Sequence, residues 1–512
     1  MNHLPVLPVV VPLLAGAVLA LLHTAPVNVR RVVALLAALA QLALAIALLR
    51  GAADGTQTVY LLGNWPAYAG IVLVVDRLAA LMVLLTATLA LIGLLYALAG
   101  QDRRTPHFHA LFAFQVAGLS GAFLTGDLFN LFVFFEVLLI SSYGLLLHGG
   151  GANRLRRSLH YVTFNLLGSA LFLVAVAVLY GVLGTLNMAD LAHKIAQAPP
   201  ADAVLIQSAG LLLLGVFALK AALLPLYLWL PNTYAAASAP VAMLFAVMTK
   251  VGIYAVLRVY TLLFGADAGV GANLAWPWLL PVGLATIALA ALGALAANSL
   301  RRLVGYLIVG SAGTLFVAIA SATEASIGAA LYYLLHSTLA TAALFLLADM
   351  VRRGRQHAGD SLRRVDALAH RNALGLAFVL AAVAVAALPP MAGFLAKALV
   401  LDAIGAQGHG AWIWTVILCS SLCVVVALAR AGSHLFWRGE ESPDAASSAG
   451  LRPPLPERAA LGLLLLSSVA LTVFADPVTQ FTRATAAQLL APQALIARVL
   501  GAQPRADTDA PP

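Results

Sequence analysis

The sequence predicts an all-α, multi-pass membrane protein of about 14 transmembrane helices. Composition points there first: 62% of the 512 residues are hydrophobic and 10% are charged, against about 25% charged residues in a soluble domain. Such a chain could not cover a water-facing surface with polar groups. Second, apolar runs of about 20 residues, the length that crosses a bilayer core as a helix, recur from end to end. Third, arginines gather in every second connection between those runs.

The runs read 4–22, 32–49, 71–99, 108–124, 127–147, 160–183, 205–229, 240–263, 276–297, 303–321, 325–349, 372–402, 411–430 and 459–475. The first lacks a basic flank before it and reads as a retained helix, not a cleaved signal peptide. The seventh and twelfth are long and hold internal prolines. The connections test the count. Arg30 and Arg31 follow the first span, Arg103 and Arg104 the third, and Arg154, Arg156 and Arg157 the fifth. Arg301 and Arg302 follow the ninth. Arg352, Arg353, Arg355, Arg363, Arg364 and Arg371 follow the eleventh, and Arg438, Arg452 and Arg458 the thirteenth. All fall on one side, which the positive-inside rule makes the cytoplasm, so both termini lie outside. The net charge of +9 therefore orients connections and does not point to nucleic acid. No connection is long enough for a soluble domain. The segment after 475 is partly amphipathic and ends in a polar tail, Ala502 to Pro512.

An ionisable group at the bilayer centre costs about 2.5–3.5 kcal/mol on the insertion scale, so such groups are rare and read as functional. The chain has 25 arginines, mostly in connections, and four lysines. Lys194 reads as a loop residue. Lys220, Lys250 and Lys397 lie inside spans seven, eight and twelve. Glu136 is the acidic residue near a span centre, and His336 the histidine there. Arginine holds its proton under ordinary conditions, whereas a desolvated lysine releases it readily. Histidine titrates near neutrality without help. Glu136, Lys220, Lys250, His336 and Lys397 thus have the chemistry of a proton path. Competing structural readings are a carboxylate–lysine pair, a core histidine, and a lysine snorkelling from Lys397. Asp127, Asp349 and Asp402 lie near span ends and read as interface residues. His107 and His109 form an H-x-H, a weak metal signal. Cys419 and Cys423 read as small apolar residues on one helix face, not a metal pair.

Span seven contains Phe217-Ala-Leu-Lys220-Ala-Ala-Leu-Leu-Pro225, and span twelve contains Ala386-Ala-Leu-Pro389-Pro390-Met-Ala-Gly393-Phe-Leu-Ala-Lys397. Each has a proline break beside a lysine, five spans apart. Five is odd, so two five-helix units run in opposite directions. Paired broken helices of this kind point to a transport site. The expected divisions are three helices over 1–107, a first repeat of spans 4–8 over 108–263, and an inverted repeat of spans 9–13 over 276–430. The last helix, amphipathic segment and tail occupy 431–512.

The run Gly126-Asp127-Leu-Phe-Asn-Leu-Phe-Val-Phe-Phe-Glu136-Val-Leu resembles the fifth helix of the antiporter-like family. That family holds the large membrane subunits of respiratory complex I, membrane-bound hydrogenases and Mrp/Pha multisubunit cation/proton antiporters. Leu219-Lys220 through Pro225, Thr249-Lys250-Val-Gly-Ile-Tyr254 and Tyr332-Tyr333-Leu-Leu-His336-Ser-Thr-Leu resemble its seventh, eighth and eleventh helices. Asn2-His3-Leu4-Pro5 and Leu230-Pro231-Asn232 through Pro240 look like the D subunit of the Mrp/Pha type. Complex I relatives tend to place an acidic residue where Asn232 stands. One complex I class has a glutamate in place of Lys397, and the long lateral helix of another class is missing. The resemblance implies that Glu136 and Lys220 form a gating charge pair. Lys250 would then be the central relay, His336 a relay histidine and Lys397 the terminal lysine near the outlet.

The implied function is a secondary transport subunit exchanging Na+ or K+ for H+ in a bacterial inner membrane, with other antiporter subunits as partners and no enzyme chemistry of its own. The competing class is the proton-pumping module of an NADH-quinone oxidoreductase or hydrogenase, and a third is a closed scaffold. The chain has no iron–sulfur thiol cluster, no G-x-G-x-x-G and no P-loop, so no cofactor is expected on it.

Overall fold

The structure, a computed structural model, describes residues 3–355, 358–363, 368, 370–405, 410–437 and 453–503. Asn2, Arg364, Arg438, Arg452 and the tail beyond 503 lie outside the described residues. The chain is an all-α multi-pass membrane protein. Among the described residues, twelve helical segments are long and apolar enough to cross a membrane.

Helices α1 (Leu7–Leu21), α2 (Val27–Ala52) and α3 (Arg77–Ala97) open the chain. Between α2 and α3 lies an antiparallel hairpin, β1 (Thr58–Leu61) and β2 (Val72–Val75). The third apolar run begins at 71, but the helix does not. Val72 to Val75 pair with β1, and Asp76 caps α3 by accepting from the Ala79 amide at 2.8 Å. Hydropathy cannot separate an apolar strand from the helix it precedes.

Next come α4 (Phe108–Leu124), α5 (Leu128–Leu147), α6 (Ala152–Leu183), α7 (Met188–Ala196), α8 (Ala203–Lys220), α9 (Trp229–Ala236) and α10 (Ala239–Leu262). They are followed by α11 (Trp276–Ala296), α12 (Leu300–Ala320), α13 (Glu324–Gly354), α14 (Arg371–Val385), α15 (Ala392–Gly405) and α16 (Gly410–Gly432). The chain then runs through α17 (Leu455–Val473), α18 (Ala475–Leu490) and α19 (Gln493–Leu500). Lys194, expected in a loop, lies on α7, a short amphipathic helix, where it pairs with Asp190 at 3.2 Å.

Two helices form the centre. Every residue of α10 is buried, as is all of α13 from Ser326 to Val351. The two pack on each other. By contrast α2, α6 and α16 sit at the rim and turn leucines outward, such as Leu36, Leu166 and Leu422, each more than half exposed.

Two pairs of turns share one backbone geometry. Helix α8 ends at Lys220 and α14 at Val385. After each, an alanine takes the left-handed conformation, Ala222 at φ 57° and Ala387 at φ 58°. A proline follows three residues later, at Pro225 and Pro390. The Leu223 amide donates to the Ala218 carbonyl at 2.9 Å, and the Leu388 amide to the Val383 carbonyl at 3.1 Å. These are the wrap-around bonds that close a helix C-terminus. The starts of α5 and α12 match in the same way. Leu128 donates to the Leu186 carbonyl and Leu300 to the Asp360 carbonyl, both at 2.9 Å. Met188 donates back to Gly126 and Leu362 to Asn298.

A buried row of ionisable side chains

Lys220 is the last residue of α8 and is 5% exposed. Its ammonium has no hydrogen-bond partner among the described residues. Two features make this tolerable. The negative end of the α8 dipole lies at the lysine, and the Phe135 ring centroid is 4.9 Å from Nζ. Glu136, the next residue on α5, acts on Lys220 through its charge, but the two are not in ion-pair contact. The glutamate is half-buried and accepts a hydrogen bond from Ser169 of α6.

Lys250 sits in the middle of α10, 1% exposed, and donates to Ser311 Oγ of α12 at 2.8 Å. Ser311 in turn donates to the Ile308 carbonyl at 2.7 Å. No carboxylate pairs with Lys250 among the described residues. The break after Lys220 and the helix of Lys250 touch through Gly252. A Cβ there would lie 2.7 Å from the Ala221 amide nitrogen and 2.8 Å from the Phe217 carbonyl. Only glycine lets α10 run this close to the last turn of α8.

His336, 2% exposed on α13, lies with the Ala384 carbonyl, in the last turn of α14, against Gly393. Its Nδ1 has no partner among the described residues. Gly393, at the start of α15, packs against this pair: a Cβ there would overlap the Ala384 oxygen and lie 2.7 Å from His336 Nε2. Lys397 is on α15 and donates to Ser421 Oγ of α16 at 2.8 Å.

The five residues do not form one chain of direct contacts. A partly open cavity of about 50 Å³ instead lies between α11, α12, α13, α14, α15 and α16, lined by Ser311, Thr314, Tyr333, Lys397 and Ser421, among others. One water needs about 10–15 Å³ of such space, so the cavity has room for a short chain of waters. It reaches Lys250 through Ser311 and Lys397 directly. His336 is not among its lining residues. The two break lysines also differ in position: Lys220 precedes its turn, whereas Lys397 follows its own.

Other polar groups escaped the sequence reading. Arg258 lies two turns beyond Lys250 on the same face of α10, 4% exposed, and holds Asp76 with two bonds of 2.6 and 2.8 Å. Between them Tyr254 donates to the Phe123 carbonyl at 2.6 Å and accepts from Arg258 at 3.2 Å. The spacing Lys250, Tyr254, Arg258 was the available signal. Asp349, expected at an interface, is at a helix end but buried, held by Arg352, Tyr96 and Gln101. Asp127 caps α5 through the Asn130 amide at 2.7 Å, and Asp402 is exposed.

His107 and His109 diverge: His107 stacks on His23, while His109 lies 3.2 Å from Asp102. Asp102 also takes two bonds from Arg31, of 2.6 and 2.8 Å. Burial opposes its ionisation, but Arg31 and His109 outweigh that and hold the carboxyl well below the usual range. Burial, with Arg104 and Arg154 nearby, pushes His148 down despite its bond to the Gln101 carbonyl. Among the described residues no group of three His, Cys, Asp or Glu converges as metal ligands. Cys419 and Cys423 are free thiols on α16.

Residues 125–423 match the family described as NADH:quinone oxidoreductase/Mrp antiporter, TM. The probable D subunit of the K(+)/H(+) antiporter of Rhizobium meliloti (strain 1021) is 41% identical, over 99% of both chains. The D subunit of the Na(+)/H(+) antiporter of Bacillus subtilis (strain 168) is 38% identical over 98% of this chain and 100% of its own. Among solved structures, a chain of the Mrp complex from Dietzia sp. DQ12-45-1b superposes with a TM-score of 0.87 at 28% identity, covering 98% of this chain and 100% of that one. The chain belongs to the NADH:quinone oxidoreductase/Mrp antiporter membrane family, as a D subunit of the Mrp/Pha antiporter type.

Proposed function

We propose that this chain works as the D subunit of a multisubunit Na+(K+)/H+ antiporter in a bacterial inner membrane, and that protons move through it along Glu136, Lys220, Lys250, His336 and Lys397. The observation that carries this reading is the partly open cavity joining the Lys250–Ser311 pair to the Lys397–Ser421 pair. Each lysine rests on a neutral hydroxyl, so loss of its proton leaves no orphaned counter-charge. The serines, Thr314 and Tyr333 can each accept one proton while donating another.

Movement of Glu136 relative to Lys220 changes the field at the α8 break, which α10 touches through Gly252. Lys250 then releases or takes its proton toward the cavity, and Lys397 passes it on. His336 joins the path from α13, its Nε2 beside Gly393 at the start of α15, the helix that carries Lys397.

The paired turns at Ala222 and Ala387, and the paired starts of α5 and α12, support an inverted repeat of spans 4–8 and 9–13 with broken seventh and twelfth helices. In that arrangement α8 with α9 forms one broken span and α14 with α15 the other, giving 14 spans. The arginine-rich ends face the cytoplasm and both termini face outward.

The test is cation-induced collapse of a respiration-generated ΔpH in inside-out vesicles from an antiporter-deficient host. The host expresses this chain with its neighbouring subunits. Collapse on adding K+ or Na+, lost with Glu136→Ala or Lys220→Ala in an assembled complex, is the expected result. Full exchange by either assembled variant would sink the proton path. No response from the assembled wild type would favour a redox-driven pump.

A further inference from the structure

A cavity of about 620 Å³ opens on the flank of the protein at its arginine-rich end. Arg156, Arg157, His160 and Thr163 of α6, Asn232 and Thr233 of α9 and Arg302 of α12 line it, with Leu159. None of these lining residues is acidic. The nearby Asp360 is engaged by Arg301 at 3.1 Å. Arg302 Nε is buried without a partner among the described residues, and Arg302 is the strongest neighbouring charge acting on Arg157. Three guanidinium groups thus crowd one cavity whose described lining has no carboxylate to balance them.

The surface beside the cavity is apolar. Leu155, Leu159 and Leu166 form a stripe along α6 and are 62%, 67% and 62% exposed. A charged cavity at a span end, continuous with a leucine stripe along the span, has the form of a phospholipid. The headgroup fits the arginines, and the acyl chains lie along α6. We infer that this cavity binds the phosphate headgroup of an anionic phospholipid from the arginine-rich leaflet. Guanidinium forks pair with phosphate oxygens by two parallel bonds, and basic pockets between membrane helices take acidic headgroups.

The site also bears on the buried row. Arg157 donates to the Asn232 carbonyl at 3.3 Å and Arg154 to the Ala236 carbonyl at 2.9 Å, both on α9. Trp229 of α9 donates to the Leu219 carbonyl at 3.2 Å, one residue before Lys220. A bound headgroup therefore braces α9 against the Lys220 turn.

The experiment uses the purified, assembled complex and phosphatidylglycerol carrying a photoactivatable acyl chain, with labelled residues mapped by mass spectrometry. Labelling should concentrate on α6 near Leu159 and Leu166. It should fall about tenfold when Arg156, Arg157 and Arg302 are all changed to Gln, and stay unchanged in Arg50→Gln. The wild-type map stands on its own where the triple variant fails to assemble. Equal labelling by a phosphatidylcholine analogue would overturn the inference. So would full competition by millimolar inorganic phosphate, which would mark a soluble-anion site. Cross-linking of Leu159→Cys to a neighbouring subunit, with no lipid label on α6, would overturn it as well.

Discussion

Ser311 and Ser421 line one cavity, and each accepts a hydrogen bond from a lysine at 2.8 Å: Ser311 from Lys250, which lies behind it, and Ser421 from Lys397, which lines the cavity itself. Neither serine is charged. Either lysine can therefore be neutral or protonated without leaving a buried carboxylate unpaired, the costly state in most buried ion pairs.

Ser311→Ala should accordingly slow exchange without blocking assembly. It removes a hydrogen bond to a charged group, worth about 1.5–3 kcal/mol, and so lowers the rate by about tenfold or more. Ser311→Thr keeps the hydroxyl and should restore most of it. ΔpH collapse measured per assembled complex reads the effect. A wild-type rate in Ser311→Ala would remove the hydroxyl from the path.

Lys250→Arg separates charge from proton release. Arginine keeps the charge but does not give up its proton under ordinary conditions. Exchange should be lost while the complex assembles normally. Retained exchange would make Lys250 an electrostatic element only.

The five ionisable residues were legible because a single charge stands out in a run of leucine and alanine. Their hydroxyl partners were not. Serine and threonine occur in many spans, and only packing decides that Ser311 and Ser421 face lysines and Ser169 faces Glu136. Arg258 was hidden for another reason: by residue type it belongs with the arginines that orient connections, and Asp76 lies 182 positions away. The hairpin at Val72 was lost in an apolar run. The prolines at Pro225 and Pro389 were visible. That Lys220 precedes its turn while Lys397 follows its own emerges only once the Ala222 and Ala387 turns are aligned.

Gly393 should resist substitution. A Cβ would meet both the Ala384 oxygen and His336 Nε2, and backbone cannot yield as a flexible side chain does. Gly393→Ala should destabilise the protein by about 1–3 kcal/mol, the usual cost of overpacking. It should also displace α15 and Lys397. Thermal unfolding in detergent measures the first effect and exchange rate the second. Unchanged values of both would mean that α15 shifts freely.

Arg258 and Asp76 make a buried pair whose partners depend on each other. Asp76→Asn leaves the guanidinium uncompensated and should cost about 3–5 kcal/mol. Asparagine still caps α3 through its side-chain oxygen, so the loss reports the ion pair. Arg258→Met with Asp76→Leu removes both charges and should recover part of the loss. If exchange in the assembled double variant equals that of wild type, the pair is structural. If stability returns and exchange does not, the polar line Lys250–Tyr254–Arg258 takes part in transport.

Asp102 offers a test of sign with pH. Arg31 and His109 hold its folded carboxyl below the ordinary value of 3.8. A depressed folded pKa gives a contribution that is fully present above the unfolded pKa. That contribution is lost as pH falls through the folded value. Asp102→Asn should therefore be less stable than wild type by about 3 kcal/mol at neutral pH, because it strands Arg31. With His109 replaced by Gln in both proteins, which removes the imidazole that changes charge in the same range, the gap should be flat from pH 7 down to about 5 and should narrow only in stronger acid. Melting temperatures of wild type and variant, taken in parallel across that range, read this directly. A gap that widened with acid would assign the stabilisation to another group.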